Sequence, residues 1–364
     1  MPAEKSLTAR LDELRGAAAT SRHNARTIAA LTANPGCARR ALLDAAAVDK
    51  TEVARELGFP AQFGQSPFAI TRGNAFEAMV KAHGCAELLR LLREELELTI
   101  PEVGYHDLAT VGDNATNSIR YQRTKQLLGQ ALASGQGTLF DHPMLRLEIA
   151  GAPAYLEPDV VALQIGGKFY VVEIKSFAVV DGRADPAQVA SAARQSAVYV
   201  LAMRELLREL GRSPDDVAYQ AILVAARDFT NRPVAAMLDL RKQLAVIGRQ
   251  LSRLTSVDTL LDLVPPGASF TPGEGLRDTV AAIPPRYAPE CMSSCELAFS
   301  CRSEARDNGS VDTLGRGVCD DLGGIDNLDT VLGLAEGALT PGPEHADIAE
   351  TLRRAHALRL EVAR

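Results

Sequence analysis

Residues 159–176 constrain the fold more than any other stretch. Asp159–Ile165 is an apolar run closed by Gly166-Gly167, and Lys168–Ser176 is a second run rich in β-branched and aromatic residues. Two such runs joined by a glycine pair predict an antiparallel hairpin. Side chains alternate along a strand, so Phe169, Val171, Glu173 and Lys175 share one face while Tyr170, Val172 and Ile174 share the other. Glu173 and Lys175 therefore point the same way, and the hairpin brings Asp159 beside them. The neighbouring strand is apolar on both faces. A charged pair in the middle of such a sheet is costly unless it has a use.

Two carboxylates and an ammonium on adjacent strands have an obvious chemical use. Hard oxygen ligands suit Mg²⁺ or Mn²⁺, which keep several waters and bind phosphate. A metal so held polarises a phosphoryl oxygen and generates hydroxide from bound water. Asp159 and Glu173 are the expected ligands, with the Ile174 carbonyl as another, and Lys175 the group that serves the water or the transition state. Gln195 and Tyr199 follow at i and i+4 of one helix and so share a face. Glu77, beyond Arg72-Gly73, is expected one turn into a helix, where it supplies a further ligand.

The rest of the chain frames this centre. Residues 1–60 read as helical, with Leu7, Leu11, Leu14 and Ala18 at helical spacing. A Gly-, Pro- and Phe-containing loop (58–68) precedes a helix from about Gly73; residues 101–115 read as a loop, and Tyr121 to Ala133 as a helix. Met144–Ile149 is a short strand ended by Gly151-Ala152-Pro153. Asp185-Pro186 caps a helix running to Gly211, and Ala218–Ala226 is a buried strand. Beyond it the pattern is helical, broken by a Pro- and Gly-rich stretch from 265 to 289. The expected divisions are 1–68, a helical region with Cys37; 69–230, the core; 231–320, a helical region with Cys291, Cys295 and Cys301; and 321–364, C-terminal helices.

With 364 residues, core size is not limiting. A net charge of -7 argues against a protein coated in positive charge, although a basic groove can be local. Arg39, Arg40, Arg72, Arg120, Arg123, Lys125 and Arg194 are candidates for contacts to backbone phosphates. No Walker sequence is present, which argues against an ATP-driven motor. The N-terminal residues lack the apolar stretch of a signal peptide, so the expected location is the cytoplasm. The six histidines show no paired ligand spacing, and most read as surface residues.

In a reducing compartment, six cysteines predict bound metal rather than a disulfide framework. Cys291, Cys295 and Cys301 offer three thiolates, and Cys319 or Cys37 a fourth. Zinc is the rival to an iron–sulfur cluster, yet structural zinc usually shows two close Cys pairs, which this chain lacks.

Asp159, Glu173-Ile174-Lys175 and Gln195-Ser196-Ala197-Val198-Tyr199 together resemble the PD-(D/E)xK nucleases, in particular the RecB-like branch with its Gln-x-x-x-Tyr motif. The resemblance spans about Gly73 to Tyr199. It implies a restriction-endonuclease-like α/β core, a small mixed sheet flanked by helices, with helical, cysteine-bearing N- and C-terminal additions. The implied activity is divalent-metal-dependent cleavage of DNA, single-stranded or end-containing, in DNA repair or anti-phage defence, with possible protein partners in such a complex. That branch usually has a Gly-x-x-x-His motif before the core. Here Gly73-Asn74-Ala75-Phe76-Glu77 puts Glu77 in place of the histidine. Members with a 4Fe-4S cluster, such as AddB-type and CRISPR adaptation nucleases, have one cysteine before the core and three after it. Cys37, Cys291, Cys295 and Cys301 resemble that set, although three residues rather than the commoner two separate the first pair. The implied cluster would tie the N-terminal helix to the C-terminal segment. Two alternatives stay open: a catalytically silent DNA-binding or assembly protein of the same fold, and a zinc-stabilised nuclease.

Overall fold

The computed structural model describes residues 6–21, 24–60, 67–100, 103–109, 116–135, 137–149, 152–165, 168–228, 230–252, 254, 256–288, 291–309, 311 and 316–362. The chain divides into two compact units: Arg22–Pro35 with Gly64–Val257, and Met1–Ser21 with Gly36–Phe63 and Asp258–Arg364.

The first of these units is built on a sheet. Its strands are β1 (Gly104–Asp107), β2 (Thr138–Asp141), β5 (Val160–Ile165), β6 (Lys168–Val180), β7 (Arg183–Ala184), β8 (Val217–Arg227) and β9 (Pro233–Asp239), in the order β1-β2-β5-β6-β8-β9 with β7 on β6. β3 (Leu145–Ile149) and β4 (Ala152–Leu156) form a separate hairpin. Pairing is parallel for β1 with β2 and for β6 with β8, and antiparallel elsewhere. The result is a small mixed sheet flanked by helices, compatible with a restriction-endonuclease-like core. The expected hairpin is present as β5 and β6, with Ile165 opposite Lys168 and Val160 opposite Val172. Its reversal at Gly166-Gly167 lies outside the described residues, as do Gly151 and residues 110–115 of the expected loop.

Alternation sorts β6 as the sequence predicts. Val172 and Ile174 pack with Ile222 and Val224 of β8 against Phe76, Val80, Leu88, Leu91 and Leu92 of the helix Pro67–Glu94. Each fully buried aliphatic of this kind contributes about 1.5–3 kcal/mol relative to exposure. That helix begins before the expected Gly73, so Glu77 sits about three turns in rather than one. It is broken at Ala82–Cys85, where His83, Gly84 and Cys85 have φ of 55°, 68° and 63°. The helix Pro186–Glu209 starts where expected: Asp185 accepts hydrogen bonds from the amides of Ala187 and Gln188, and proline takes the first helical position.

Five strands depart from the sequence reading. β1 falls in a stretch read as loop, β2, β4 and β7 have no counterpart in that reading, and β9 falls in a stretch read as helical. β1 and β2 are four residues each, too short for period-two alternation to register, and parallel pairing with a distant segment decides their state. β6 also runs past Ser176 to Val180, through a register shift against β8 between Lys175 and Ala178.

The other unit is mainly helical among its described residues. In the helix Leu7–Arg15, capped by Ser6, Leu11 and Leu14 are buried as their spacing predicts. Further helices include Ala38–Ala45, Glu274–Ala282, Cys291–Ser294, Ala298–Asp307, Leu328–Glu336 and Ala346–Val362. Val311, Leu322, Ile325, Val331, Leu334 and Ala349 make a small core at its C-terminal end. No described helix is long and apolar enough to cross a membrane.

Candidate active site and cysteine constellation

Asp159 lies just ahead of β5, opposite Glu173 by continuation of the Val160–Val172 pairing. Its Oδ2 accepts a hydrogen bond of 2.8 Å from the Ile174 amide. Lys175 Nζ is 2.5 Å from Glu173 Oε1. Glu173 is only 1% exposed, and among the described residues its Oε2 has no hydrogen-bond partner. The expected trio of Asp159, Glu173 and Lys175 is thus brought together immediately before the irregularity in β6. Bulges commonly re-aim side chains beside functional sites.

Charge and burial compete here. Burial pushes the Glu173 carboxyl up to about 7, helped by Asp159, while Lys175 pulls it down. Asp159 is also raised, chiefly by burial, with Lys175 opposing. Lys175 is raised: burial alone would lower it, but Glu173 and Asp159 outweigh that cost. The buried Glu173 and the half-buried Asp159 share one ammonium, so the site has one negative charge too many when both ionise. An added cation corrects that imbalance.

Glu77 reaches the same field. It influences the titration of Asp159, Glu173, Lys175 and Tyr199. Its own carboxylate is engaged by Lys81 Nζ at 2.5 Å and His142 Nε2 at 3.3 Å. Lys81 Nζ also lies 2.7 Å from Asp141 Oδ1 and 3.1 Å from His142 Nε2. His142 Nδ1 is 2.9 Å from Asp141 Oδ1, and Tyr105 donates a 2.7 Å hydrogen bond to Asp141 Oδ2. The hydrogen bond from His142, with help from Lys81, outweighs burial and lowers Glu77 to about 2. Burial would raise Asp141, but His142, Lys81 and Tyr105 together bring it down to about 2. His142 is pushed up to about 10 by Asp141 and Glu77, against burial and the Lys81 charge. Asp107, Asp141 and His142 also present ligand atoms within 4.8 Å of one another, a possible divalent-metal group.

Tyr105, Asp107, Asp141 and Lys81 are absent from the sequence reading. His142, covered there only by the general reading of the histidines, is half-buried among charges. It follows β2, and its amide donates to the Asp159 carbonyl at 3.3 Å, which couples the two clusters. The Glu77–Lys81 spacing of four on one helix was the one signal available beforehand.

Gln195 and Tyr199 separate in role. Tyr199 is buried, and its hydroxyl donates to the Glu157 carbonyl at 3.1 Å. Arg120 grips the Glu157 carboxylate at 2.8 and 3.0 Å. Both contacts fix the segment that delivers Asp159. Gln195 donates to Ser191 Oγ at 3.3 Å, one turn back on its own helix. Of the basic residues expected at phosphates, Arg120 is occupied by Glu157, Lys125 by Glu209 and Arg123 by Gln126. Arg72 and Arg194 are exposed. A cavity of about 780 Å³ bounded by Arg146, Glu148, Glu205 and Arg208 contains none of the expected site residues.

The helical unit gathers the four expected cysteines, all buried: Cys37, Cys291, Cys295 and Cys301. Cys37 precedes the helix Ala38–Ala45, Cys291 opens Cys291–Ser294, and Cys301 lies in Ala298–Asp307. The Cys301 thiol interacts electrostatically with Cys37 and Cys295, and Cys295 with Cys291. Two buried arginines stand among them. Arg39 Nη1 donates to Cys301 Sγ at 3.4 Å and to Glu304 at 2.6 Å; its Nε donates to the Ile283 carbonyl at 3.0 Å. Arg40 interacts with Cys295, donates to Asp44 at 3.2 Å and to the Ser294 carbonyl at 3.0 Å. These two arginines therefore face thiols rather than a phosphate groove. Burial pushes Cys295 up to about 11, with Arg40 opposing, and Cys301 up to about 12, with Arg39 opposing. Cys319 packs on the small core around Val311, its thiol donating to the Val311 carbonyl at 3.2 Å.

No family model and no curated protein matches the chain. Among solved structures it is similar to a "putative exonuclease" from Eubacterium rectale, at 12% identity over 72% of this chain and 86% of that one, with a TM-score of 0.31. It is also similar to the protein designated SSO0001, at 13% identity over 45% of this chain and 83% of that one, with a TM-score of 0.19.

Proposed function

We propose that the chain is a divalent-metal-dependent nuclease that cleaves DNA. The observation that carries this reading is the acid–acid–lysine set, with the buried Glu173 Oε2 lacking a hydrogen-bond partner among the described residues and negative charge in excess. Asp159, Glu173 and the Ile174 carbonyl would hold Mg²⁺ or Mn²⁺. The N–H and C=O of one strand residue face the same neighbour, so that carbonyl opens on the edge where the Ile174 amide meets Asp159. When bound, the ion supplies positive charge to the scissile phosphate and acidifies an attacking water. Lys175 donates hydrogen bonds to that water or to charge developing on the phosphate. Glu77 is a further carboxylate at the edge of the site. Tyr199 and Arg120 position the Glu157–Asp159 segment, and Gln195, half-buried one turn before Tyr199, is assigned to substrate. DNA that is single-stranded or carries ends is the expected substrate, and repair or anti-phage defence the setting.

The donor set in the helical unit fits an iron–sulfur cluster. Four buried thiols, coupled pairwise as Cys37 with Cys301, Cys301 with Cys295 and Cys295 with Cys291, are accompanied by two buried guanidinium groups that offset thiolate charge. Cys37, Cys291, Cys295 and Cys301 would ligate the 4Fe-4S cluster, and its contribution would be to stability.

The test is cleavage of labelled linear single- and double-stranded DNA with Mg²⁺ or Mn²⁺ by anaerobically purified protein, beside Lys175→Ala. Metal-dependent cutting lost in the variant supports the reading. Undiminished cutting by the folded variant overturns the assigned mechanism, and a folded, metal-loaded wild type that cuts nothing points to a binding role.

A further inference from the structure

The geometry points to Lys81 as a built-in cation: its ammonium fills the place among Glu77, Asp141 and His142 that a second divalent ion would take. The protein then works with one divalent ion, at Asp159 and Glu173. The location of that one ion rests on the nuclease reading; the part played by Lys81 does not.

Three observations carry the inference. Lys81 Nζ lies among three groups, ion-paired to Glu77 Oε1 at 2.5 Å and Asp141 Oδ1 at 2.7 Å and 3.1 Å from His142 Nε2. Two carboxylates and an imidazole that has given up its proton are a donor set suited to a divalent transition metal. Ion and ammonium would need the same point among these three groups, so they exclude each other. The lysine is also held in place. Its side chain is 8% exposed, and it comes from the same helix as Glu77, one turn along. The neighbouring trio contrasts with this one. There a single ammonium serves two acids, and Glu173 Oε2 has no partner among the described residues. Positive charge is thus already supplied at Asp141 and still wanted at Glu173. Lys81 is a positioning residue in this scheme: it keeps Glu77 and Asp141 side by side without a metal.

The experiment counts Mn²⁺ ions bound per full-length chain, from the electron paramagnetic resonance signal of free Mn²⁺, with thermal midpoints measured alongside. Wild type should take up one ion and Asp159→Asn none. Lys81→Ala should take up two, and adding Asp141→Asn to it should return the count to one. Mn²⁺ should also raise the midpoint of Lys81→Ala by more than it raises that of wild type. Two ions on wild type, or a folded Lys81→Ala that gains none, overturns the inference. An ion that survives Asp159→Asn and is lost on adding His142→Ala does the same, and this arm holds even if Lys81→Ala does not fold. A wild type that binds no Mn²⁺ counts against the nuclease reading, whereas a gained ion in Lys81→Ala still supports the role of Lys81.

Discussion

The Ile174 amide donates a 2.8 Å hydrogen bond to Asp159 Oδ2, so one of the two central acids is held by the backbone of the strand bearing the other. Asp159→Asn keeps an oxygen acceptor for that amide, whereas Asp159→Ala does not. Both should lose metal-dependent cleavage. The Ala variant should also lose about 1–2 kcal/mol of stability relative to Asn, the usual cost of an unsatisfied buried donor. Cleavage assays with urea denaturation of both variants check this, and equal stabilities would show that the hydrogen bond contributes nothing.

Glu173, pushed up to about 7 by burial, gives a signature in the metal-free protein. A carboxyl raised on folding favours the folded state fully below its ordinary value near 4.5, and that benefit is lost as pH rises through 7. A divalent ion requires the ionised form, so uptake should release close to one proton per chain near pH 6 and almost none above pH 8. Calorimetric titration with Mn²⁺ in buffers of different ionisation enthalpy measures the number directly. Proton release that is the same at both pH values would remove Glu173 from the metal site.

His142 works in the same sense at higher pH. Its folded-state value, about 10, exceeds the ordinary 6.5, so its contribution is complete below 6.5 and vanishes as pH rises through 10. His142→Gln should therefore lower the thermal midpoint at pH 6, and the gap from wild type should close by about pH 10.5. A gap that is constant with pH would mean that packing, not charge, accounts for the loss.

Much of this arrangement was legible beforehand, and the divide is physical. Alternation and the glycine pair placed Glu173, Lys175 and Asp159 together because each signal is local and they agree. Asp185-Pro186 marked its helix start for the same reason. The quartet of Glu77, Lys81, Asp141 and His142 was not legible. Its members come from a helix and a strand end about sixty residues apart in sequence (Lys81 and His142, |i−j| = 61), and β2 itself exists by pairing with β1 and β5. Lone charges carry no record of such partners. Tyr199 was found, but its hydroxyl reaches the Glu157 carbonyl, a contact no helix-face argument supplies.

Cysteine substitutions separate the thiols by role. Cys301→Ser should lower the iron content of anaerobically purified protein to well below about four atoms per chain, the complement of a 4Fe-4S centre, and should destabilise the helical unit. Cys319→Ser should leave iron unchanged, because its thiol is engaged with Val311. Arg39→Met should reduce iron retention as well, since it removes the donor to Cys301 Sγ. Elemental analysis and the visible absorption of the three variants decide the point. Iron-free wild type, or zinc in its place, would sink the iron–sulfur assignment.

The interruption of the helix Pro67–Glu94 at Ala82–Cys85 separates two core-anchored halves of one continuous stretch of chain. The first carries Glu77 and Lys81 beside the buried Phe76 and Val80; the second is anchored by Leu88, Leu91 and Leu92. The charge-bearing half and the second half can thus hold different directions, which a straight helix would forbid. Gly84 at φ 68° supplies part of that freedom, and His83 and Cys85 adopt the same handedness at a cost. Drift in the aim of the two charges can therefore arise at this joint while the apolar interior stays intact, so an inactive chain need not be an unstable one.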